Sequence, residues 1–161
     1  MTLFRVLVIG LLALWPALAA AQPTAFGAGN VDPDAPVEVE SDELSVNEAD
    51  GTAEFIGNVV IVQGDMRLAA SRVLVVYDDA GERISKMEAT GGVTLVSGED
   101  AAEASRADYD IDNGEIVLQG NVLVVQGSST LSGERMVVNL KTGNAQMGGR
   151  VRTILNPTKK D

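Results

Sequence analysis

The octapeptide Gly57-Asn58-Val59-Val60-Ile61-Val62-Gln63-Gly64 returns 63 residues later as Gly120-Asn121-Val122-Leu123-Val124-Val125-Gln126-Gly127. Each copy is a short aliphatic run, rich in β-branched residues and bounded by glycine, the pattern of a strand between turns. Related starts occur at Gly91-Gly92-Val93 and Gly149-Arg150-Val151, so four starts are spaced 34, 29 and 29 residues apart. A period in this range marks a repeat architecture whose neighbouring units bury a shared face.

Three of the four units share more. A turn glycine stands six residues before the start (Gly51, Gly114, Gly143), and an apolar residue stands two before it (Phe55, Leu118, Met147). Two of the turn glycines follow Asp50 and Asn113, and Asp-Gly and Asn-Gly suit tight hairpins because such turns need positive φ. The second unit stretches this interval from Gly81 to Gly91, and Ala70-Ser71-Arg72 reappears as Ala104-Ser105-Arg106. Val37-Glu38-Val39-Glu40, Val73 to Tyr77 and Val93 to Val96 are further strand-like runs, and no amphipathic helix competes with them.

Side chains alternate across a strand, and Glu54 and Lys86 should face water. That anchoring predicts an inner face of Ala53, Phe55, Val59 and Ile61, then Met87, Val93 and Leu95, then Ile116, Leu118, Val122 and Val124, then Met147 and Val151. Met66, Leu68, Val73 and Val75 join it from intervening strands. The expected fold is all-β: a long antiparallel sheet of about four repeats of 29 to 34 residues, folded over so that these residues face one another.

Composition narrows the chemistry. The 161 residues include 23 acidic against 12 basic side chains, 4% aromatics, no histidine and no cysteine. Thiol nucleophiles, Ser-His-Asp triads, His/Cys zinc sites and disulfides are therefore excluded. A net charge of -11 argues against nucleic acid, whose phosphates need a basic surface. Asp108-x-Asp110-x-Asp112 has the spacing of a calcium loop, but Asn113 stands where such a loop needs glycine and Gln119 where it needs a bidentate glutamate. No carboxylate pair is marked above the others, so neither a catalytic residue nor a metal or cofactor is expected.

The first 21 residues read as a cleaved signal peptide. Arg5 precedes an apolar run from Val6 to Leu14, Pro16 breaks it, and Ala19-Ala20-Ala21 supplies the small residues of a cleavage site. The run is short for a membrane anchor, which needs about 20 apolar residues. Residues 22–36, with Pro23, Pro33 and Pro36, are expected to be a flexible arm, 37–155 the folded domain and 156–161 a polar tail.

The Gly-x5-Gly-x-Val pattern, the doubled Gly-Asn-Val-x-Val-x-Gln-Gly block and the Ala-Ser-Arg segments, behind an export signal, resemble the OstA/LptA family of periplasmic lipopolysaccharide transport proteins. The resemblance covers about Val37 to Leu155. It implies an OstA-like folded-over antiparallel β-jellyroll whose interior carries the acyl chains of lipid A, with copies joined head to tail into a bridge. It also implies two partners of the same architecture, an anchored inner-membrane component and the N-terminal domain of the outer-membrane translocon. On that reading the inner-face residues from Phe55 to Val151 bind lipid. A dry-cored structural or adhesion module is the alternative, and a glycan-active enzyme a more distant one.

The chain ends bear on assembly. The first strand is expected over Val37 to Ser41, with Val37 and Val39 on its edge, and the last over Arg150 to Leu155, with Val151, Thr153 and Leu155. Neither contains an internal proline to block pairing with another chain.

Overall fold

The computed structural model describes residues 35–156 apart from 140 and 143. The expected signal peptide, the arm up to residue 34, the turn glycine at 143 and the tail beyond 156 lie outside the described residues. The described residues form ten strands: β1 (Val37–Glu40), β2 (Glu43–Asn47), β3 (Thr52–Gln63), β4 (Met66–Tyr77), β5 (Ile84–Ser97), β6 (Asp100–Asp110), β7 (Glu115–Gln126), β8 (Ser129–Asn139), β9 (Asn144–Gly148) and β10 (Arg152–Ile154). They make one antiparallel sheet in the order β1-β3-β4-β5-β6-β7-β8-β10, with β2 also on β3 and β9 also on β8.

Different turn chemistry closes the two ends of the strands. At one end β3-β4, β5-β6 and β7-β8 are joined by Gly64-Asp65, Gly98-Glu99 and Gly127-Ser128, with positive φ only at the glycine. That is the pattern of a type II′ hairpin turn, whose twist matches the strands. At the other end side-chain oxygens organise longer turns. Asn47 Oδ1 accepts the Ala49 and Asp50 N–H groups at 3.1 and 3.2 Å, and Asn139 Oδ1 accepts those of Lys141 and Thr142 at 3.0 Å. The stretched second repeat becomes the loop from Asp78 to Arg83, where Asp78 Oδ1 takes the Glu82 N–H at 2.9 Å.

A line of β-bulges crosses every long strand at mid-length. Gly57-Asn58, Gly91-Gly92, Gly120-Asn121 and Gly149-Arg150 each place two successive residues at positive φ. Ser71 of β4 stands alone between the first and second pairs, and Ser105 of β6 alone between the second and third, as the register shifts show. Asp42 and Glu134 occupy the equivalent single positions beside Gly57 and Gly149, their N–H groups donating to those glycine carbonyls at 2.9 and 3.1 Å. Two residues against one bend the bulged strand, and repeating this on alternate strands creases the whole sheet.

The crease explains the split outer strands. β1 pairs with Val60–Gln63 of β3 and β2 with Thr52–Ile56, so Ser41 and Asp42 turn across the crease between them. β9 and β10 divide β8 in the same way, along Arg135–Asn139 and Thr130–Ser132. Two leaves result, one on each side. Val59 and Val73 are 0% exposed, and Val122 and Val124 1%. A single layer leaves one face of such residues in water, so the leaves close over one another as a folded-over, unsealed β-jellyroll.

The outer strands differ from the sequence expectation by this same device. The first expected strand stops at Glu40, and a second edge strand, β2, follows it on the other leaf. The last is shortened to Arg152–Ile154, because Arg150 lies in the crease at φ +47° and Val151 and Leu155 fall outside the ladder.

A Cβ at Gly91 would meet Ser71 Cβ at 2.6 Å with φ at +82°, whereas Gly81, at φ +68°, has open space. Gly91→Ala should therefore cost about 3 kcal/mol and Gly81→Ala about 1 kcal/mol, measured by urea denaturation at an unchanged m-value.

Candidate functional site

The structure gathers most of the expected inner-face residues into one interior. Val59, Ile61, Val73, Val75, Val93, Leu95, Leu118, Val122 and Val124 are buried in a common cluster, against which Phe55, Met66, Leu68, Met87, Ile116 and Met147 pack half-buried. Val151 shares their strand parity but stands at the last edge, half exposed. The periodicity reading omitted β6 and β8, which contribute Ala102, Ala104, Ala107, Met136 and Val138. The signal was present as alternation in Ala101-Ala102-Glu103-Ala104. Alanine is too weakly apolar to stand out in it. Burial also raises the Tyr109 hydroxyl pKa above its ordinary value, two residues beyond Ala107, the last of these alanines.

The interior runs out to both edges. Val37 and Val39 pair with Gln63 and Ile61, and Leu44 and Val46 with Phe55 and Ala53, so all four share the inner face. Leu44 and Val46 are nevertheless 55% and 61% exposed, because no further strand among the described residues covers them. At the other end Met147 pairs with Met136 and Thr153 with Leu131, while Leu155 is 72% exposed. Apolar side chains and unpaired backbone thus coincide at each end. Leu44 and Val46 were missed as edge residues, since nothing in Glu43-Leu44-Ser45-Val46 says that β1 and β2 share one neighbour.

The outer face is ionic. Arg72 pairs with Glu54, and Arg106 reaches Asp108 at 2.7 Å and Glu88 at 3.0 Å. The Asp108 hydrogen bond, foremost, holds the Arg106 guanidinium above its ordinary value. Such exposed pairs add little stability each. The three aspartates at calcium-loop spacing diverge: Asp108 serves Arg106 and Gln119, Asp110 holds Asn113, and Asp112 meets Arg83 at 2.6 Å. The Asn113 backbone N–H and side-chain amide, at 3.0 and 2.8 Å, keep the Asp110 carboxyl below the usual carboxylate range. Its contribution is complete above the ordinary carboxylate value and is lost as pH falls through the depressed one. Beside the crease, among the described residues, lie shallow depressions of about 280 Å³ near Asn58 and Ser71 and about 260 Å³ near Asn121 and Glu134.

The fold and its interior define an unsealed all-β jellyroll module with apolar side chains at both edges. Residues 38–144 match the model of the LptA/(LptD N-terminal domain) LPS transport protein family, and the chain belongs to that family. A protein of Rhizobium meliloti is 31% identical over 155 residues, 89% of this chain and 83% of its own length. The lipopolysaccharide export system protein LptA of Escherichia coli is 28% identical over 162 residues, 92% of this chain and 85% of its own length. The crystal structure of LptH, the LptA-homologous periplasmic component of the lipopolysaccharide transport device of Pseudomonas aeruginosa, superposes with a TM-score of 0.70 at 19% identity. It covers 79% of this chain and 99% of that one.

Proposed function

We propose that this protein is a non-enzymatic periplasmic carrier of lipopolysaccharide, shielding the acyl chains of lipid A between its leaves and handing them along a bridge of like modules. The observation that carries the reading is an apolar inner face continuous from Val37 and Leu44 at one end to Met147 and Leu155 at the other. An acyl chain of about a dozen methylenes costs on the order of 10 kcal/mol to expose, at roughly 0.8 kcal/mol per CH₂. A carrier in water must offer apolar surface of similar extent.

Among the described residues the leaves are joined by backbone only through the crease, since the strand pairing runs between neighbours alone. Parting them exchanges apolar side-chain contacts for contacts with acyl chains, so much of the cost of opening is returned by the guest. The acidic exterior opposes the lipid A phosphates at long range, which keeps the headgroup outside the slot. The lipid-facing residues are those named above, from Phe55 to Val151. The partners are lipopolysaccharide, further copies of the chain joined head to tail, the anchored inner-membrane component and the N-terminal domain of the outer-membrane translocon. The close packing of Val59, Val73, Val122 and Val124 favours one other reading, a dry-cored structural module.

Mass spectrometry of lipid extracted from the native protein separates the two: lipid A is expected, and its absence sustains the dry module. Val124→Asp should lower lipopolysaccharide binding at least tenfold, since an unpaired buried charge is costly. Leu123→Asp, on the outer face, should not. Circular dichroism checks that both fold, and equal binding by both variants contradicts the interior slot. Asp108→Asn should leave lipid carriage unchanged. A proline at Val39 or Thr153 should shorten assemblies by removing an edge N–H and crowding the neighbouring strand. Light scattering at rising concentration reads this, and unchanged size in both variants counts against pairing of the edges.

A further inference from the structure

We infer that the two ends of the jellyroll are electrostatically and sterically coded for each other in one register, with Arg152 of one copy opposite Glu40 of the next and Arg150 beside its Asp42. This rests on the head-to-tail reading above and adds to it the residue register of the junction and the charges that select it.

Charge is segregated by end. The first edge, residues 37–48, carries Glu38, Glu40, Asp42, Glu43 and Glu48 with no lysine or arginine; the last, residues 144–156, carries Arg150 and Arg152 with no aspartate or glutamate. Neither arginine forms an ion pair among the described residues. Backbone alone does not choose a direction. A second copy in the same orientation sets β1 antiparallel to β10, and a two-fold arrangement of two first edges is antiparallel as well. The two-fold arrangement faces acid with acid, which is unfavourable, whereas head to tail faces base with acid.

The crease supplies the register. Along β3 the pair Gly57-Asn58 faces the single residue Asp42, and at the last edge Gly149-Arg150 is the same pair with no strand of the described residues on its outer side. Continuing the crease into a second copy puts that copy's Asp42 opposite Gly149-Arg150. The ladders observed between β3 and β1-β2 then carry over residue by residue. Glu40 faces Val60 within the chain and would face Arg152 across the junction, because Arg152 holds the Val60 position. Leu44 faces Phe55 and would face Met147; Val46 faces Ala53 and would face Ala145; Val37 faces Gln63 and would face Leu155. Inner positions Val37, Leu44 and Val46 thus meet apolar partners and Val39 meets Thr153, while the outer position after the crease meets an opposite charge.

Arg150 strengthens the assignment. Within the chain the second residue of each crease pair is Asn58, Gly92 or Asn121, types that tolerate the left-handed region, while the terminal pair has an arginine at φ +47°. Asn58 Nδ2 donates to Asp42 Oδ2 at 2.8 Å. Arg150 is the equivalent donor for the Asp42 of the next copy, with a charge added.

Two experiments test this on the full chain. Arg152→Glu and Glu40→Arg should each weaken self-association about tenfold in low salt, and the double variant, which restores the pair with its charges exchanged, should return towards the parent. Sedimentation over a concentration series reads it. In a chain without cysteine, Leu44→Cys with Met147→Cys should oxidise to a ladder of linked copies, because directly opposed strand residues lie within disulfide reach. Val46→Cys with Met147→Cys, two positions out of register, should not. If the single charge variants assemble like the parent, or the offset cysteine pair links as readily as the aligned one, the register is overturned while edge pairing stands. A parent that stays monomeric and unlinked at all concentrations overturns both.

Discussion

Everything in this fold follows from one backbone arrangement: two successive left-handed residues on alternate strands, set against a single residue on the strands between. A bulge of this kind bends one strand locally. Repeated at Gly57-Asn58, Gly91-Gly92, Gly120-Asn121 and Gly149-Arg150, it becomes a straight line of bends and turns a flat sheet into two facing leaves. The burial of Val59 and Val122, each immediately after a crease pair, depends on that closure. The single positions are equally constrained. Ser71 and Ser105 donate their hydroxyls to the carbonyls of Gly91 and Gly120 at 2.7 and 3.2 Å, and any Cβ on those glycines would strike the serine side chain.

The same constraint explains why so much of the fold was legible in the sequence. Positive φ at two adjacent positions admits few residue types, so the requirement is written as Gly-Asn or Gly-Gly and can be counted along the chain. Once the starts are aligned, strand alternation assigns inner and outer faces, and the inward set from Ala53 to Met147 lies buried or half-buried in one cluster. Legibility failed where side chains carry little signal. Ala102, Ala104 and Ala107 are core residues by virtue of smallness, and a hydropathy pattern gives them no weight beside valine and leucine. It failed again at the outer strands, because the expectation treated Val37 to Ser41 as a complete edge. That β2 lies beside β1 on the same neighbour is a consequence of Asp42 occupying a crease position, which its own type does not announce.

On the proposed function, interior composition and open ends answer to a common requirement. A module that is to be continued by another must present the same cross-section at its edges as at its middle, or each junction would be a step. Small and medium aliphatic side chains, with aromatics held to 4% of the chain, give such a uniform section. The cost is that each isolated module leaves Leu44, Val46 and Leu155 in water, and exposed apolar edges invite indiscriminate pairing. Acidic residues on the outer side of the first edge limit that hazard, because they disfavour contact between two first edges and with other acidic surfaces.

Division of labour between the faces completes the logic. The outer face carries ion pairs whose individual worth is small, and Asp108, Asp110 and Asp112 spend their oxygens on Arg106, Asn113 and Arg83. These groups fasten turns and strands locally without binding the leaves together. Cohesion between the leaves rests on apolar contact, which is non-directional and is satisfied equally by a side chain of the opposite leaf or by a hydrocarbon guest. A hydrogen-bonded seam would have to be broken group by group to admit a lipid. On the proposed function, a greasy seam hinged on the crease parts and closes again with its backbone pairing intact, and strands held by neighbour-to-neighbour ladders are suited to that.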